Sequence, residues 1–126
     1  MTWDDYIGIP YLRAGRSSAG CDCYGLVWLL FRDLRGIVMP RYDNAGDDRA
    51  VHSAMIVENR KNWLEVAVPN VFDVVCFRFN RLVTHMGMMI DETRFLHSWG
   101  VLDSVCEDIN HICWRHRVDG FFRYQG

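Results

Sequence analysis

From Asp22 to Arg35 the chain carries an apolar run that only a well-covered helix can satisfy. Leu26, Leu30 and Leu34 recur at four-residue spacing, with Val27 and Phe31 beside them. On a helix these residues stack along one side. Polarity enters only at the far end, at Arg32, Asp33 and Arg35. Such a helix is mostly buried, so the rest of the chain must supply the surface that covers it. Gly36 suits the position just past its end, and Pro40 is a later stop.

The covering surface is expected from the second half, where the pattern turns to β after Pro69. Phe72 to Phe79, Leu82 to Ile90 and Arg94 to Trp99 read as strands rich in Val, Phe and Met, with Asp91-Glu92-Thr93 as the turn between the second and third. The tail from Cys113 to Tyr124 reads as one or two further strands bent at Asp119-Gly120. Ahead of the apolar helix, Thr2 caps a short helix through Tyr6, Gly8 and Pro10 break it, and Tyr11 to Gly20 form a loop. A second helix, with a weaker apolar pattern, runs from Asp47 or Asp48 as N-cap to about Arg60. No repeat or linker divides the 126 residues. The expectation is one α+β domain over 1–126, its N-terminal helices packed on an antiparallel β-sheet.

Composition narrows the function. A net charge of -2 argues against nucleic acid as a partner, because neutralising phosphates needs a basic surface. No apolar run approaches membrane-spanning length and no secretory leader opens the sequence, so neither membrane insertion nor standard export is expected. The five cysteines are odd in number and form no CxxC pair, which points to a reducing compartment rather than a disulfide framework. Five tryptophans exceed the needs of one small core, and some are expected at a partner surface or substrate groove.

Cys23 stands where the apolar helix begins. Helix N-termini carry partial positive charge and unpaired N–H groups, and both favour thiolate over thiol. His85 lies six residues before Asp91 and His97 six after it, so an antiparallel hairpin sets them opposite or diagonally adjacent. His85, Gly87 and Met89 share one face of their strand, and Phe95, His97 and Trp99 share one face of the next. Gly87 leaves a gap where another group can approach. If the helix packs its N-terminus on that face, Cys23 becomes a nucleophile, His85 its base and His97 the residue that orients His85. The Cys23 backbone N–H and the Tyr11 hydroxyl would then meet an oxyanion.

Blander readings stand beside this one. A free cysteine is commonly a small buried hydrophobe, and a strand histidine is often a satisfied core residue. Cys21 reads as structural, and His52, His111 and His116 as solvated surface. Cys21, Cys23, His85 and His97 could together hold zinc. The single residue between the two cysteines is tighter than usual ligand spacing, so no metal or other cofactor is expected.

At these residues the chain resembles the NlpC family of papain-like cysteine peptidases. Asp22-Cys23-Tyr24-Gly25-Leu26-Val27 is similar to the family's Asp-Cys-Ser-Gly-Leu-Val run, and His85-Met86-Gly87-Met88 to its His-Val-Gly-Ile strand. Phe95-Leu96-His97 resembles its Ile-His strand, Ile9-Pro10-Tyr11 its upstream tyrosine, and Gly36 to Arg41 its Gly-Ile-x-Leu-Pro-Arg segment. Phe72 to Phe77 resembles its Gly-Asp-Leu-Val-Phe-Phe strand, with Gly replaced.

The resemblance implies a papain-like α+β fold and hydrolysis of stem peptides in bacterial peptidoglycan. It implies Cys23, His85 and His97 as catalytic residues, with Tyr11, Asp22 and Tyr24 supporting oxyanion or substrate. Tyr24 replaces the family's usual Ser, and with the ending Gly120-Phe121-Phe122-Arg123-Tyr124 it resembles the branch found in phage tail tips. That branch implies a virion protein made in the host bacterial cytoplasm, with tail-hub or tail-tip proteins as partners. The alternative is a structural tail-hub module on a peptidase fold with little or no activity.

Overall fold

The structure, a computed structural model, describes residues 2–42, 48–100 and 102–126. A short 3-10 helix, Trp3–Tyr6, is followed by a two-strand hairpin, β1 (Arg16–Ser17) and β2 (Gly20–Cys21). The apolar run forms α1, Cys23–Arg35, with every residue from Gly25 to Phe31 buried. Asp22 caps it by accepting from the Gly25 N–H, and Gly36, as the sequence predicts, ends it in the left-handed region at φ 66°. The second helix, α2, spans Arg49–Asn59. Asp48 caps it by accepting from the N–H groups of Ala50 and Val51; Asp47 lies outside the described residues.

The β half contains β3 (Leu64–Val66), β4 (Val74–Phe79), β5 (Leu82–Met89), β6 (Arg94–His97), β7 (Val105–Asp108) and β8 (Val118–Arg123). Among the described residues they build one antiparallel sheet in the order β3-β8-β4-β5-β6-β7. The expected α+β, papain-like fold is the one observed.

Several local expectations are corrected. β4 starts two residues later than the sequence suggests, and β6 stops at His97. The predicted loop from Tyr11 to Gly20 contains β1 and the start of β2. β3 and β7 are too short to stand out by periodicity. The tail is a single strand, and Asp119 does not bend the chain. It is the extra residue of a bulge, since Cys76 faces Gly120 while Phe77 faces Val118.

The two sheet faces have separate cores. Leu26, Val27, Leu30 and Phe31 of α1 cluster with Val74, Cys76, Met86, Met88, Leu96 and Phe122. Val75, Phe77, Met89 and Phe95 point the other way and cluster with Trp114. By strand alternation His85 and His97 belong to this second face. α1 therefore packs its apolar stripe on the more continuously apolar side of the sheet, and only its N-terminal Cys23 reaches the cleft that His85 lines.

Candidate active site

Two features hold the N-terminus of α1 in place. Asp22 accepts from the Ala14 N–H at 2.9 Å, the Gly25 N–H at 2.7 Å and the Arg16 guanidinium at 2.8 Å. Its carboxylate thus fixes the first helical turn while also lining the cleft beside Cys23. Gly25 is obligatory there, since a Cβ would stand 2.1 Å from the Gly15 carbonyl oxygen. Tyr11 is set next to this turn because Leu12 N–H donates to the Cys21 carbonyl and Cys21 N–H to that of Pro10, both at 3.0 Å. Burial and the adjacent Cys23 sulfur raise the Tyr11 hydroxyl above its ordinary range.

The histidines meet as the hairpin spacing predicts. β5 and β6 pair at Met88–Leu96 and Met89–Phe95; continued, that register sets His97 across from Gly87, with His85 its diagonal neighbour. A Cβ on Gly87 would lie 2.9 Å from the Leu96 carbonyl oxygen and 3.3 Å from the His97 Cβ, so glycine there makes room for His97. His85 Nε2 and His97 Nδ1 are 2.7 Å apart, and His97 Nε2 is 2.5 Å from Glu107 Oε2.

This chain of contacts fixes the tautomers. The Glu107 carboxylate only accepts, so His97 donates from Nε2 and, when neutral, has a bare Nδ1. His85 must then donate from Nε2, which leaves its Nδ1 lone pair as the free basic atom. Sequence reasoning missed Glu107 because β7 was not foreseen. With β7 in place, the pairs Phe95–Glu107 and His97–Val105 make Glu107 a diagonal neighbour of His97.

Aromatic rings enclose both imidazoles. Phe77 stacks on His85 at 5.5 Å between centroids, Trp99 meets His85 edge-on at 4.7 Å, and Trp114 meets His97 edge-on at 4.8 Å. Two of the surplus tryptophans therefore wall the histidines, and no tryptophan is fully exposed. Burial, then the neighbouring His97, pushes His85 well below the ordinary histidine range. Burial also lowers His97, against the opposing pull of Glu107.

Cys23 reaches the site from the other face, over the backbone of β5. A cleft of about 470 Å³ is lined by Cys23, His85, Tyr11, Asp22, His52 and Trp99, among others. His52, expected at the surface, is half-buried and faces this cleft; His111 and His116 are exposed. Ser98 ties the two halves together, its hydroxyl donating to the Cys21 carbonyl at 3.0 Å. Burial and the Asp22 charge push the Cys23 thiol up to about 12, while the N–H groups of Met86 and Tyr24 and the Arg16 charge pull it down. Burial thus works against the thiolate that the helix terminus alone favours. Desolvation outweighs the helix terminus.

The Tyr24 hydroxyl donates to the Pro40 carbonyl at 2.5 Å, and its ring rests against Tyr42 and under the Arg16 guanidinium. Tyr24 therefore shapes a second, larger cavity next to the cleft.

A stability prediction follows from the imidazoles. Both bind a proton less readily in the folded than in the unfolded chain. Stability is full above the unfolded histidine pKa of about 6.5 and falls as pH drops through it toward the lower folded values. Urea denaturation at about pH 8 and about pH 5 should show the acid loss. His85→Gln should flatten it, and an unchanged slope would refute the assignment.

Comparison with known proteins agrees with this architecture. The model of the NlpC/P60 family matches residues 8–123. Murein DD-endopeptidase MepS/murein LD-carboxypeptidase of Escherichia coli (strain K12) is 26% identical over 117 residues, covering 91% of this chain and 55% of that protein. Gamma-DL-glutamyl hydrolase of Bacillus subtilis (strain 168) is 28% identical over 124 residues, covering 96% of this chain and 27% of that protein. The chain thus spans about half, or less, of the curated relatives it matches. An NlpC/P60 family protein from Bacillus cereus has a similar solved structure, with TM-score 0.71 at 24% identity over 96% of this chain and 37% of that one. The NlpC/p60 domain of peptidoglycan hydrolase SagA superposes with TM-score 0.66 at 15% identity, over 96% of this chain and 92% of that domain. A fold shared along nearly the whole chain and a family match over residues 8–123 have one meaning: the chain belongs to the NlpC/P60 family.

Proposed function

We propose that this chain is a cysteine endopeptidase that cleaves stem peptides of bacterial peptidoglycan. The observation that carries the reading is the hydrogen-bonded series His85–His97–Glu107, whose inner imidazole opens on the same cleft as Cys23 at the start of α1. In the first step His85 takes the Cys23 proton as sulfur attacks the scissile carbonyl. His97 and Glu107 hold the His85 ring and stabilise the imidazolium that forms. The Cys23 backbone N–H and the Tyr11 hydroxyl stabilise the oxyanion. The imidazolium then protonates the leaving amine, and water hydrolyses the thioester. The names of the murein and glutamyl hydrolases it resembles support the substrate class.

The same reading has the protein made in host bacterial cytoplasm and carried in a phage tail tip beside tail-hub proteins. Its support is Tyr24 at the family's Ser position and the Gly120 to Tyr124 ending. Active chemistry is favoured over a purely structural module because Cys23 and His85 line one cleft and the Tyr24 hydroxyl is tied away at the Pro40 carbonyl.

Incubation with purified stem peptides, with products read by mass spectrometry, tests the activity. New termini should form at neutral pH and disappear after thiol alkylation. No thiol-dependent product would overturn it. Mass spectrometry of isolated tail particles tests the location; absence of the chain there would remove the tail assignment.

A further inference from the structure

Next to the cleft, and meeting it at Arg13, Asp22, Cys23, His52 and Thr84, lies a cavity of about 510 Å³ between α2 and the sheet. Its volume is that of a small-molecule site. Val74, Met86 and Phe122 form its floor, and Met39, Met55 and Ile56 its walls. α2 fully buries only Ser53, and its Met55 and Ile56 stay half-buried. Both line the cavity, and Ile56 also packs against the helix-side core. Methionines adapt to irregular apolar shapes.

Arg13, His52 and Thr84 stand at the end shared with the cleft, and several polar residues deeper in the cavity already have partners. Arg60 pairs with Asp119 at 2.5 Å, the Tyr42 hydroxyl donates to Asn59 Oδ1 at 2.7 Å, and Asn59 Nδ2 donates to the Met55 carbonyl at 2.7 Å. Arg16 is engaged by Asp22 and by the Arg41 carbonyl. A charged or amide-rich group entering here would lose water and gain few partners, which is costly. A hydrocarbon chain would lose nothing.

We propose that this cavity is an acyl-chain site, in which Cys23 accepts straight aliphatic acyl groups from activated esters. The inference rests on Cys23 as nucleophile and goes beyond peptide cleavage, because it assigns a second class of substrate. The chain lies under α2 with its carbonyl carbon at the sulfur. The thiol proton passes to His85 as the Cys23 S–C bond forms; the ester C–O bond then breaks and His85 returns that proton to the oxygen of the leaving alcohol or phenol. Water then hydrolyses the thioester, releasing the fatty acid and restoring the thiol.

p-Nitrophenyl octanoate and p-nitrophenyl acetate separate the two layers of the argument. With turnover by a Cys23→Ala protein subtracted, kcat/KM for octanoate should exceed that for acetate by about 100-fold, less than full burial of the added methylenes would allow. A transient mass increase of one octanoyl group should appear on wild-type protein. Ile56→Trp and Met55→Trp, each confirmed as folded by circular dichroism, fill the cavity and should lower the octanoate-to-acetate ratio at least about tenfold. A wild-type ratio near one, or a ratio unmoved in both filled variants, overturns the acyl site while Cys23-dependent acetate turnover leaves the nucleophile standing. Absence of Cys23-dependent turnover on both esters overturns the nucleophile and the acyl site together.

Discussion

Cys23→Ala and His85→Gln are each expected to lower kcat/KM on a stem peptide by about 10,000-fold, and the double variant no further. Nucleophile and base act as one unit, so removing the second after the first costs little. Burial sharpens this expectation. It raises the Cys23 thiol and lowers the His85 imidazole, which disfavours a preformed thiolate when the base is missing. The outer members of the series should give graded effects. Glu107→Leu takes away the acceptor that fixes the His97 tautomer and should cost about 100-fold in kcat with little change in KM. Glu107→Gln can still accept from His97 Nε2 and should cost only about tenfold. Nitrogen-15 shifts of the two imidazoles read the tautomers directly: wild type should show His97 protonated at Nε2 and His85 at Nε2. Equal kcat in Glu107→Leu and wild type would reduce Glu107 to an ordinary strand residue.

Much of this site is legible in the chain because its parts sit at simple spacings. A cysteine at the first turn of an apolar helix, and two histidines equally distant from one turn, need only helix and hairpin geometry to be noticed. Which sheet face α1 would take is subtler. Alternation tells which residues share a face, but the choice depends on comparing both faces. Val74, Cys76, Met86, Met88 and Leu96 form an unbroken apolar surface, whereas the other side is interrupted by His85, Gly87 and His97. The helix follows the apolar side, and the imidazoles are sealed instead by Phe77, Trp99 and Trp114. Glu107 stayed hidden because Val105-Cys106-Glu107-Asp108 is short and acidic, and seven residues separate it from β6. The burial of the thiol is hidden in the sequence for a different reason. A helix terminus is visible in sequence, while the burial that outweighs it exists only after folding.

The largest stability effect is expected at Asp22, a residue that sequence alone casts as a helper of catalysis. Asp22→Ala removes the N-cap of α1, worth about 1 kcal/mol, and strands the Arg16 guanidinium. That side chain is only 2% exposed, and its remaining partners are the carbonyls of Gly15, Arg41 and Tyr42. Breaking a buried pair from one side costs about 3–5 kcal/mol because the other charge stays in place, so urea denaturation should show a loss of that order at unchanged m. Asp22→Asn keeps an acceptor for the Gly25 N–H and should lose less, about 1–3 kcal/mol. Adding Arg16→Met to Asp22→Ala should recover part of the loss, since the stranded charge goes with it. A loss below about 1 kcal/mol in Asp22→Ala would show that the carbonyls suffice for Arg16. The same carboxylate also holds the Cys23 thiol up. Asp22→Asn should therefore move alkylation of Cys23 to lower pH even as it weakens the fold. Capping the nucleophile's helix with a carboxylate thus favours a fixed first turn over a more acidic sulfur, and the base must remove the proton that the cap helps to retain.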